Sequence, residues 1–439
     1  MNYVRVRSQV LRKDIRLKMK LNYKRTALVG LAFMTISAFW QLYNNEVPLM
    51  LEELVGKDKQ FLINIIMSLD NILSLFLLPL FGDLSDKTST RLGKRMPYIV
   101  AGTVLSVMFM VCIPLAYKAR LSWFFFIAVG GVLLSTALYR SPAVALMPDV
   151  TPKPLRSQGN AVINLMGAVG IIFVNVITPM LKGKDNYGVM FMTVAVFIFV
   201  SIAVMTITVK ENKWVALMPP DVETEEERMI RENKGKKIKG SVRKSLIFLL
   251  FSVFLWYMAY SAIETNYSRY AQEIWELSNG EYTKPMLFGS IAALISFVPI
   301  GMASKKLGRR KMVLVALGVL LSVVFAMSFI TWYTPYLYVL FALVGISWAA
   351  INVNSYPMVV EMSHGADVGK YTGLYYTFSM AAQIATPVIT GFLFDLLGGL
   401  DILFPYATLF LFIAVITMVF VRHGDAHLED LEKTENKAQ

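Results

Sequence analysis

Twelve runs of about 20 mostly apolar residues constrain this chain more than any other feature of its sequence. A run of that length fits a helix that crosses a membrane, and helices are expected because lipid offers no water to backbone N–H and C=O groups. The predicted spans cover 26–48, 60–82, 97–117, 121–147, 159–181, 187–209, 245–270, 285–304, 312–332, 335–360, 371–397 and 402–421. The first run has no small-residue cleavage site of a signal peptide and eleven more follow, so we expect it to be a span.

The composition and the placement of the charges predict a topology. Of the 439 residues, 56% are hydrophobic and only 17% are charged, too few to cover a soluble protein of this size. Of the 43 Lys and Arg residues, 34 fall in alternate loops starting with the N-terminal tail, 8 fall in the other loops or at the very end of a span beside them, and Arg140 lies deep inside a span. Positively charged loops stay cytoplasmic, so both termini are predicted to be cytoplasmic in a multi-pass protein of the cell membrane. The net charge of +13 therefore needs no nucleic acid partner.

The spans fall into two groups of six, which predicts two helical bundles. We expect a basic N-terminal tail (1–25), a first bundle (26–209), a cytoplasmic central loop (210–244), a second bundle (245–421) and a cytoplasmic tail (422–439). The central loop carries an acidic cluster followed by a basic one. We interpret it as a solvated linker, with a regulatory or lipid-contacting role as the alternative.

A short pattern recurs in the two halves. After span 2 the sequence reads GDLSDKTSTRLGKRMPY, and after span 8 it reads GMASKKLGRRKM, so both contain G-x-x-S followed by L-G-[KR]-R. Two six-span halves in parallel repeat are typical of transporters with a site near the midplane between the halves. A channel is less favoured because the sequence has no filter-like motif.

Two stretches resemble a known family. The loop at 82–97 resembles the signature between spans 2 and 3 of the major facilitator superfamily, and RSPAVALMPD (140–149) resembles the R-x-P-x-x-A-L-x-x-D stretch of plant-type sucrose transporters and their bacterial relatives. More narrowly, the chain looks like the glycoside–pentoside–hexuronide:cation symporters. The resemblance implies an all-α integral membrane fold of twelve helices in two pseudo-repeat bundles. It also implies that the loop acts as a conformational latch, a role carried here by Gly82, Asp86, Arg91, Gly93 and Arg95.

Three charged residues stand out within the predicted spans, because a charge at the centre of a membrane costs roughly 3 kcal/mol and usually serves a function. Asp70 and Arg140 fall in spans 2 and 4, so a buried pair between them is geometrically possible, and Glu264 falls in span 7. We predict that all three take part in proton coupling, with Arg140 and Glu264 also contacting the substrate. The alternatives are a structural ion pair for Asp70 and Arg140 and a solvated carboxylate for Glu264.

The resemblance is incomplete at the cation site. Cation symporters of this kind have D-x-x-x-D-P in span 2, and counting back from Pro79 gives Ser74 and Leu78 instead. Arg140 also stands where those symporters have a sugar-binding Asp, two residues before a proline. Because the sucrose-transporter branch is H⁺-coupled and has this Arg, the resemblance favours protons over Na⁺.

Polar and aromatic side chains are concentrated in spans 1, 7 and 10, which the resemblance places around a central cavity. Amides, acids and aromatic rings are the groups that hold sugars, although Trp and Tyr also form interfacial belts and Asn or Gln can join helices. Besides Arg140 and Glu264, the predicted substrate-binding residues are Trp40, Gln41, Asn44, Asn45, Tyr260, Asn352 and Asn354.

Taken together, the sequence predicts a monomeric transporter, not an enzyme, that carries out H⁺-coupled symport of a sugar or glycoside by alternating access. Its partners would be that small molecule and the lipid bilayer. No Walker loop or metal-ligand constellation is present, so we expect neither ATP-driven transport nor a metal, and no cofactor beyond the coupling H⁺. An exporter of drugs or other metabolites and a non-transporting sensor on the same fold are the alternatives.

Overall fold

The structure is a computed structural model that describes residues 21–152, 155–181, 187–218, 240–362 and 368–424. Within these ranges the chain is helical and contains no β-strand. Twelve helices are long and apolar enough to cross a membrane. They are α1 Tyr23–Val55, α2 Gln60–Lys87, α3 Met96–Lys118, α4 Ser122–Asp149, α5 Arg156–Leu181, α6 Tyr187–Thr208, α7 Gly240–Glu273, α8 Thr283–Leu307, α9 Arg309–Met327, α10 Tyr336–Met362, α11 Val368–Leu397 and α12 Leu403–Val419. The prediction of an all-α protein with twelve spanning helices is confirmed.

Local signals in the sequence explain several helix ends. The Asn22 side chain accepts a hydrogen bond from the backbone N–H of Arg25 at 3.1 Å and so caps α1. Pro97 lies in the first turn of α3, where its missing N–H costs nothing. Gly308, with a φ of 89°, separates α8 from α9 and supplies a left-handed conformation that residues with a Cβ rarely adopt.

Apolar side chains pack inside each half and also cover the outside. The second half buries one core that includes Trp256, Tyr267 and Trp275. Large apolar side chains on the outer surface remain exposed, for example Phe76 at 68% and Val298 at 70%. An apolar exterior of this kind suits lipid rather than water, because lipid tails do not penalise exposed hydrocarbon.

The two halves contact each other mainly through α1 with α7, α2 with α11, and α5 with α8. We call the end that holds residues 21–23 and 419–424 the terminal end, and the other the opposite end. Hydrogen bonds and ion pairs between the halves occur toward the opposite end: Gln60 and Phe61 with Asp395, Gln60 with Arg269, Glu46 with Tyr282, Asn175 with Thr283, and Lys57 with Glu273. At the terminal end, no such bond joins described residues of the two halves.

The start of the predicted central loop is folded. Residues Glu211–Ala216 form a short helix whose Glu211 and Trp214 side chains are 1% and 8% exposed. Arg25 of α1 lies over the Trp214 ring, 5.3 Å from its centroid, which ties this helix to the first bundle. Helix α7 begins at Gly240, a few residues before the predicted span. The acidic cluster at 223–228, the first part of the basic cluster (234–239) and both chain termini, 1–20 and 425–439, lie outside the described residues, and the rest of the basic cluster (240–244) forms the start of α7.

Candidate functional site

Three charged side chains from both halves face one another in the interior of the helix assembly. Asp70 on α2, Arg140 on α4 and Glu264 on α7 are each half-buried and interact electrostatically with one another. In the described part of the chain, Arg140 has no carboxylate oxygen within 4.0 Å. The structure therefore brings together the three charges that the sequence singled out, but without a direct ion pair between Asp70 and Arg140.

Aromatic and amide groups of α1 and α2 hold two of these charges. The Arg140 guanidinium lies over the Trp40 ring, 5.7 Å from its centroid, in a cation–π contact. Asn71 donates a hydrogen bond of 3.0 Å from Nδ2 to Asp70 Oδ1. The Trp40 indole N–H is buried and has no hydrogen-bond partner among the described residues. Such an unpaired buried donor is rare in proteins.

Three aromatic rings cluster beside the third charge, the Glu264 carboxylate. Tyr260 donates a hydrogen bond of 3.3 Å from its hydroxyl to Glu264 Oε1, one helical turn away on α7. Its ring stacks on Trp348 of α10, with centroids 3.9 Å apart and an interplanar angle of 3°. Tyr257 meets the edge of both rings. Trp348 thus connects α10 to the Glu264 carboxylate through Tyr260.

The predicted amide residues divide into two groups. Gln41, Asn44 and Asn352 are half-buried on α1 and α10. Asn45 and Asn354 are each 1% exposed. Asn45 accepts a hydrogen bond from Gln41 Nε2 at 3.0 Å, and its own Nδ2 donates to Asn175 of α5 at 3.3 Å, so it joins helices.

The two asparagines of α10 bond to their own helix. Asn352 Nδ2 donates to the Trp348 carbonyl at 2.9 Å, and Asn354 Nδ2 donates to the Ala350 carbonyl at 2.8 Å. The substrate-binding role of all these residues stays a prediction.

A second polar cluster lies at the terminal end, in the loop predicted as a latch. Arg95 is 4% exposed. Its Nε donates to Asp149 at 2.9 Å, its Nη1 to the Gly82 carbonyl at 3.3 Å and to Ser85, and its Nη2 to Asp86. The guanidinium of a buried Arg is firmly held when its N–H groups donate hydrogen bonds in several directions, because losing these bonds would leave its positive charge buried without a partner. The loop is thereby fixed to α2 and to the end of α4.

The remaining predicted latch residues differ in their surroundings. The side chain of Arg91 is exposed, and only its backbone carbonyl bonds, to Asn212. Gly82 lies against α4, since a Cβ there would be 2.9 Å from Ser141 Oγ. The structure thus connects Asp86 with Arg95 but not with Arg91.

Glu211, which the sequence did not single out, caps this loop. Its carboxylate accepts hydrogen bonds of 2.9–3.1 Å from the backbone N–H groups of Lys94, Arg95 and Met96, where α3 begins. Gly93 has a φ of 119°, and a Cβ there would lie 2.2 Å from a Glu211 oxygen. An acid just after span 6 was the only signal, and it gave no hint of a partner 115 residues earlier.

Comparison with known proteins identifies the family. The sequence profile of the Major Facilitator Superfamily matches residues 27–348 and 286–426. No curated protein matches the sequence. Among the described residues there is no group of three or more His, Cys, Asp or Glu that could hold a metal ion.

Solved transporter structures share the fold. A peptide transporter POT in complex with sulfate has a TM-score of 0.65 and 11% identity, with 90% of this chain and 93% of that one covered. A mutant of the nucleoside transporter NupG has a TM-score of 0.64 and 13% identity, with 90% and 98% covered. A mutant of a peptide transporter POT has a TM-score of 0.67 and 13% identity, with 91% and 93% covered. The twelve spanning helices, the profile match over most of the chain and the shared fold agree, and this multi-pass membrane protein belongs to the Major Facilitator Superfamily.

Proposed function

We propose that the protein is a H⁺-coupled symporter of a sugar or glycoside that works by alternating access between its two bundles. The observation that carries the proposal is the group of Asp70, Arg140 and Glu264, which brings ionisable side chains from both bundles within electrostatic range. Ionisable residues inside a membrane are costly, and they are retained where they bind ions, protons or substrate.

The arrangement suggests how coupling could work. A carboxylate couples transport only if it changes protonation during the cycle. Arg140 favours the ionised form of a neighbouring carboxylate, because opposite charges attract strongly in a medium of low dielectric constant. A substrate that engages Arg140 would weaken this attraction and help Asp70 or Glu264 to bind a proton.

The surroundings of the charges favour a hydrophilic ring-shaped substrate. The Trp348–Tyr260 stack and Trp40 offer flat apolar faces, while the half-buried amides of Gln41 and Asn44 offer hydrogen-bonding groups. Sugars bind to this combination, with the pyranose face on an aromatic ring and the hydroxyls on polar groups. The resemblance of the loop at 82–97 and of RSPAVALMPD (140–149) to sucrose transporters and their relatives supports the same substrate class.

Counterflow in proteoliposomes tests the proposal. The purified protein is reconstituted, and exchange of labelled sugars and glycosides is measured with and without an inward proton gradient. We expect saturable exchange for at least one sugar and accumulation only with the gradient. Exchange of apolar cations instead would indicate an exporter, and binding without exchange would indicate a sensor.

The variant Asp70→Asn separates coupling from binding. Since Asn keeps the shape but cannot release a proton, we expect counterflow to persist while proton-driven accumulation is lost. Accumulation at the wild-type level would remove Asp70 from the coupling mechanism. Arg140→Ala is expected to weaken both activities, and unchanged kinetics would exclude Arg140 from the site.

A zwitterionic substrate is a second candidate, favoured by one specific observation. Arg140 and Glu264 lie on opposite bundles within electrostatic range, so they could bind the carboxylate and the ammonium group of one ligand. Structural neighbours of this chain include peptide transporters. A dipeptide and a nucleoside therefore belong in the same counterflow panel, and competition by the dipeptide alone would favour this candidate over a sugar.

A further inference from the structure

Helix α2 begins at the opposite end without a cap of its own. Its N-cap residue, Lys59, makes no side-chain hydrogen bond to the first turn. The first N–H groups of any helix lack partners within that helix, and they attract an acceptor, above all a negatively charged one. The donor groups of this turn are therefore available to a residue from elsewhere in the protein.

Asp395, near the end of α11 in the other bundle, supplies that acceptor. Its Oδ1 accepts a hydrogen bond from the Gln60 N–H and its Oδ2 accepts one from the Phe61 N–H, both at 2.9 Å. One carboxylate thus caps a helix of the opposite bundle with both oxygens. Gly391, one turn earlier, allows the approach, because a Cβ there would lie 2.8 Å from the Phe61 Cα atom.

A buried arginine strengthens the same contact. Arg269 of α7 is 1% exposed and donates a hydrogen bond from Nη1 to Gln60 Oε1. It also interacts electrostatically with Asp395 and with Glu52 and Glu273. The start of α2 is therefore held by α11 and α7 together, both from the second bundle.

This cap differs from the Glu211 cap at the terminal end. Glu211 and the turn it caps belong to the same bundle and can stay together when the bundles move. Asp395 and the first turn of α2 belong to different bundles, so any movement that opens the opposite end must separate them. The bonds of Asp395 therefore exist only while that end is closed.

We propose that Asp395 is a conformational latch, distinct from the loop at 82–97, which stabilises the state in which the opposite end is closed. By the predicted topology that end is extracellular, so the latch favours the inward-facing state. This latch acts on the movement of the two bundles, whatever the substrate or the coupling ion.

The distance between spin labels at the opposite end tests the latch. The full-length protein, with Cys112→Ser to remove its one cysteine, carries labels at Lys118→Cys on α3 and Trp332→Cys between α9 and α10, both exposed positions. In nanodiscs, Asp395→Asn removes the charge and leaves one oxygen for two donors. We expect the population with a long distance to rise about tenfold relative to the short one, which corresponds to about 1.4 kcal/mol.

Asp401→Asn is the matched control, because Asp401 is an exposed carboxylate at the same end, in the short helix Leu400–Ile402. It should leave the distances unchanged. Equal distance distributions for Asp395→Asn, Asp401→Asn and the parent would overturn the proposal.

If Asp395→Asn does not yield folded protein, Gly391→Ala tests the same contact by pushing α11 away from α2. The same rise in the long distance would support the latch, and an unchanged distribution would overturn it. A failure of sugar counterflow would leave these distances unaffected, so the latch and the proposed function can fail separately.

Discussion

Replacing Glu211 by alanine should release the start of α3. The Glu211 carboxylate is 1% exposed and accepts hydrogen bonds from three consecutive backbone N–H groups, those of Lys94, Arg95 and Met96. Loss of an N-cap costs about 0.5–2 kcal/mol, and an anion in a partly buried site at a helix N-terminus contributes up to about 2 kcal/mol. These contributions overlap, so we expect a local destabilisation of about 2–3 kcal/mol.

Hydrogen–deuterium exchange measures this loss where it occurs. A local opening that becomes about 2 kcal/mol easier speeds exchange roughly thirtyfold. We expect this acceleration at the amides of residues 94–96, while amides in the middle of α3 keep their rates. Glu211→Gln retains one acceptor oxygen without the charge and should give an intermediate effect.

A matched control comes from the second half. Glu361 is 49% exposed and pairs with Arg309 at 3.5 Å, a weak surface contact. Glu361→Ala should therefore leave exchange at the start of α9 within about twofold, corresponding to under about 0.5 kcal/mol. Unchanged exchange at residues 94–96 in Glu211→Ala would refute the view that Glu211 holds this turn.

Three further changes test other contacts. Gly93→Ala places a Cβ on a backbone with a φ of 119° and against the Glu211 carboxylate, so hydrogen–deuterium exchange at residues 94–96 should rise as it does in Glu211→Ala. Gly188→Ala is the control, because an added Cβ there would have no atom within 4 Å, and it should leave this exchange unchanged. Tyr260→Phe keeps the ring stack on Trp348 but removes the hydrogen bond to Glu264. Proton-driven uptake should slow severalfold, while the near-UV circular dichroism spectrum stays the same. Unchanged uptake would show that this hydrogen bond does not contribute to transport. Thr283→Val removes a buried hydrogen bond of 2.9 Å to the Asn175 carbonyl and should lower the free energy of unfolding by about 1 kcal/mol. The control is Thr193→Val on α6, where the hydroxyl makes an exposed bond, and the melting temperature of Thr283→Val should be the lower of the two.

Much of the fold followed from hydropathy alone. Each predicted span overlaps one observed helix, with ends that differ by up to seven residues. A helix that crosses lipid must keep about 20 apolar residues together and can therefore be recognised in the sequence. The clearest difference lies after span 6, where polar residues suggested a solvated linker but Glu211 and Trp214 pack against the first bundle. A six-residue helix has too little periodicity to be recognised, and its burial depends on partners distant in the sequence.

The sequence predicted which charged residues form the candidate site, but it predicted fewer of the contacts between their side chains and neighbouring helices. Asp70, Arg140 and Glu264 stood out because an ionisable residue in an apolar run is rare, and the structure places them within electrostatic range of one another. The sequence could not assign Asn45 to helix joining or pair Tyr260 with Trp348, since both depend on which faces of different helices meet.

The sequence by itself determined that the chain crosses a membrane with twelve helices, because the cost of exposing polar groups to lipid acts on each segment separately. Only the tertiary structure decided which ends of those helices meet. The cap of α2 by Asp395 and the cap of α3 by Glu211 join residues 335 and 116 positions apart, and such bonds are specified by packing and not by local pattern. The tertiary structure also decided that Arg140 lies on Trp40 and has no carboxylate oxygen within 4.0 Å among the described residues, because the distance between side chains on separate helices depends on how the bundles pack.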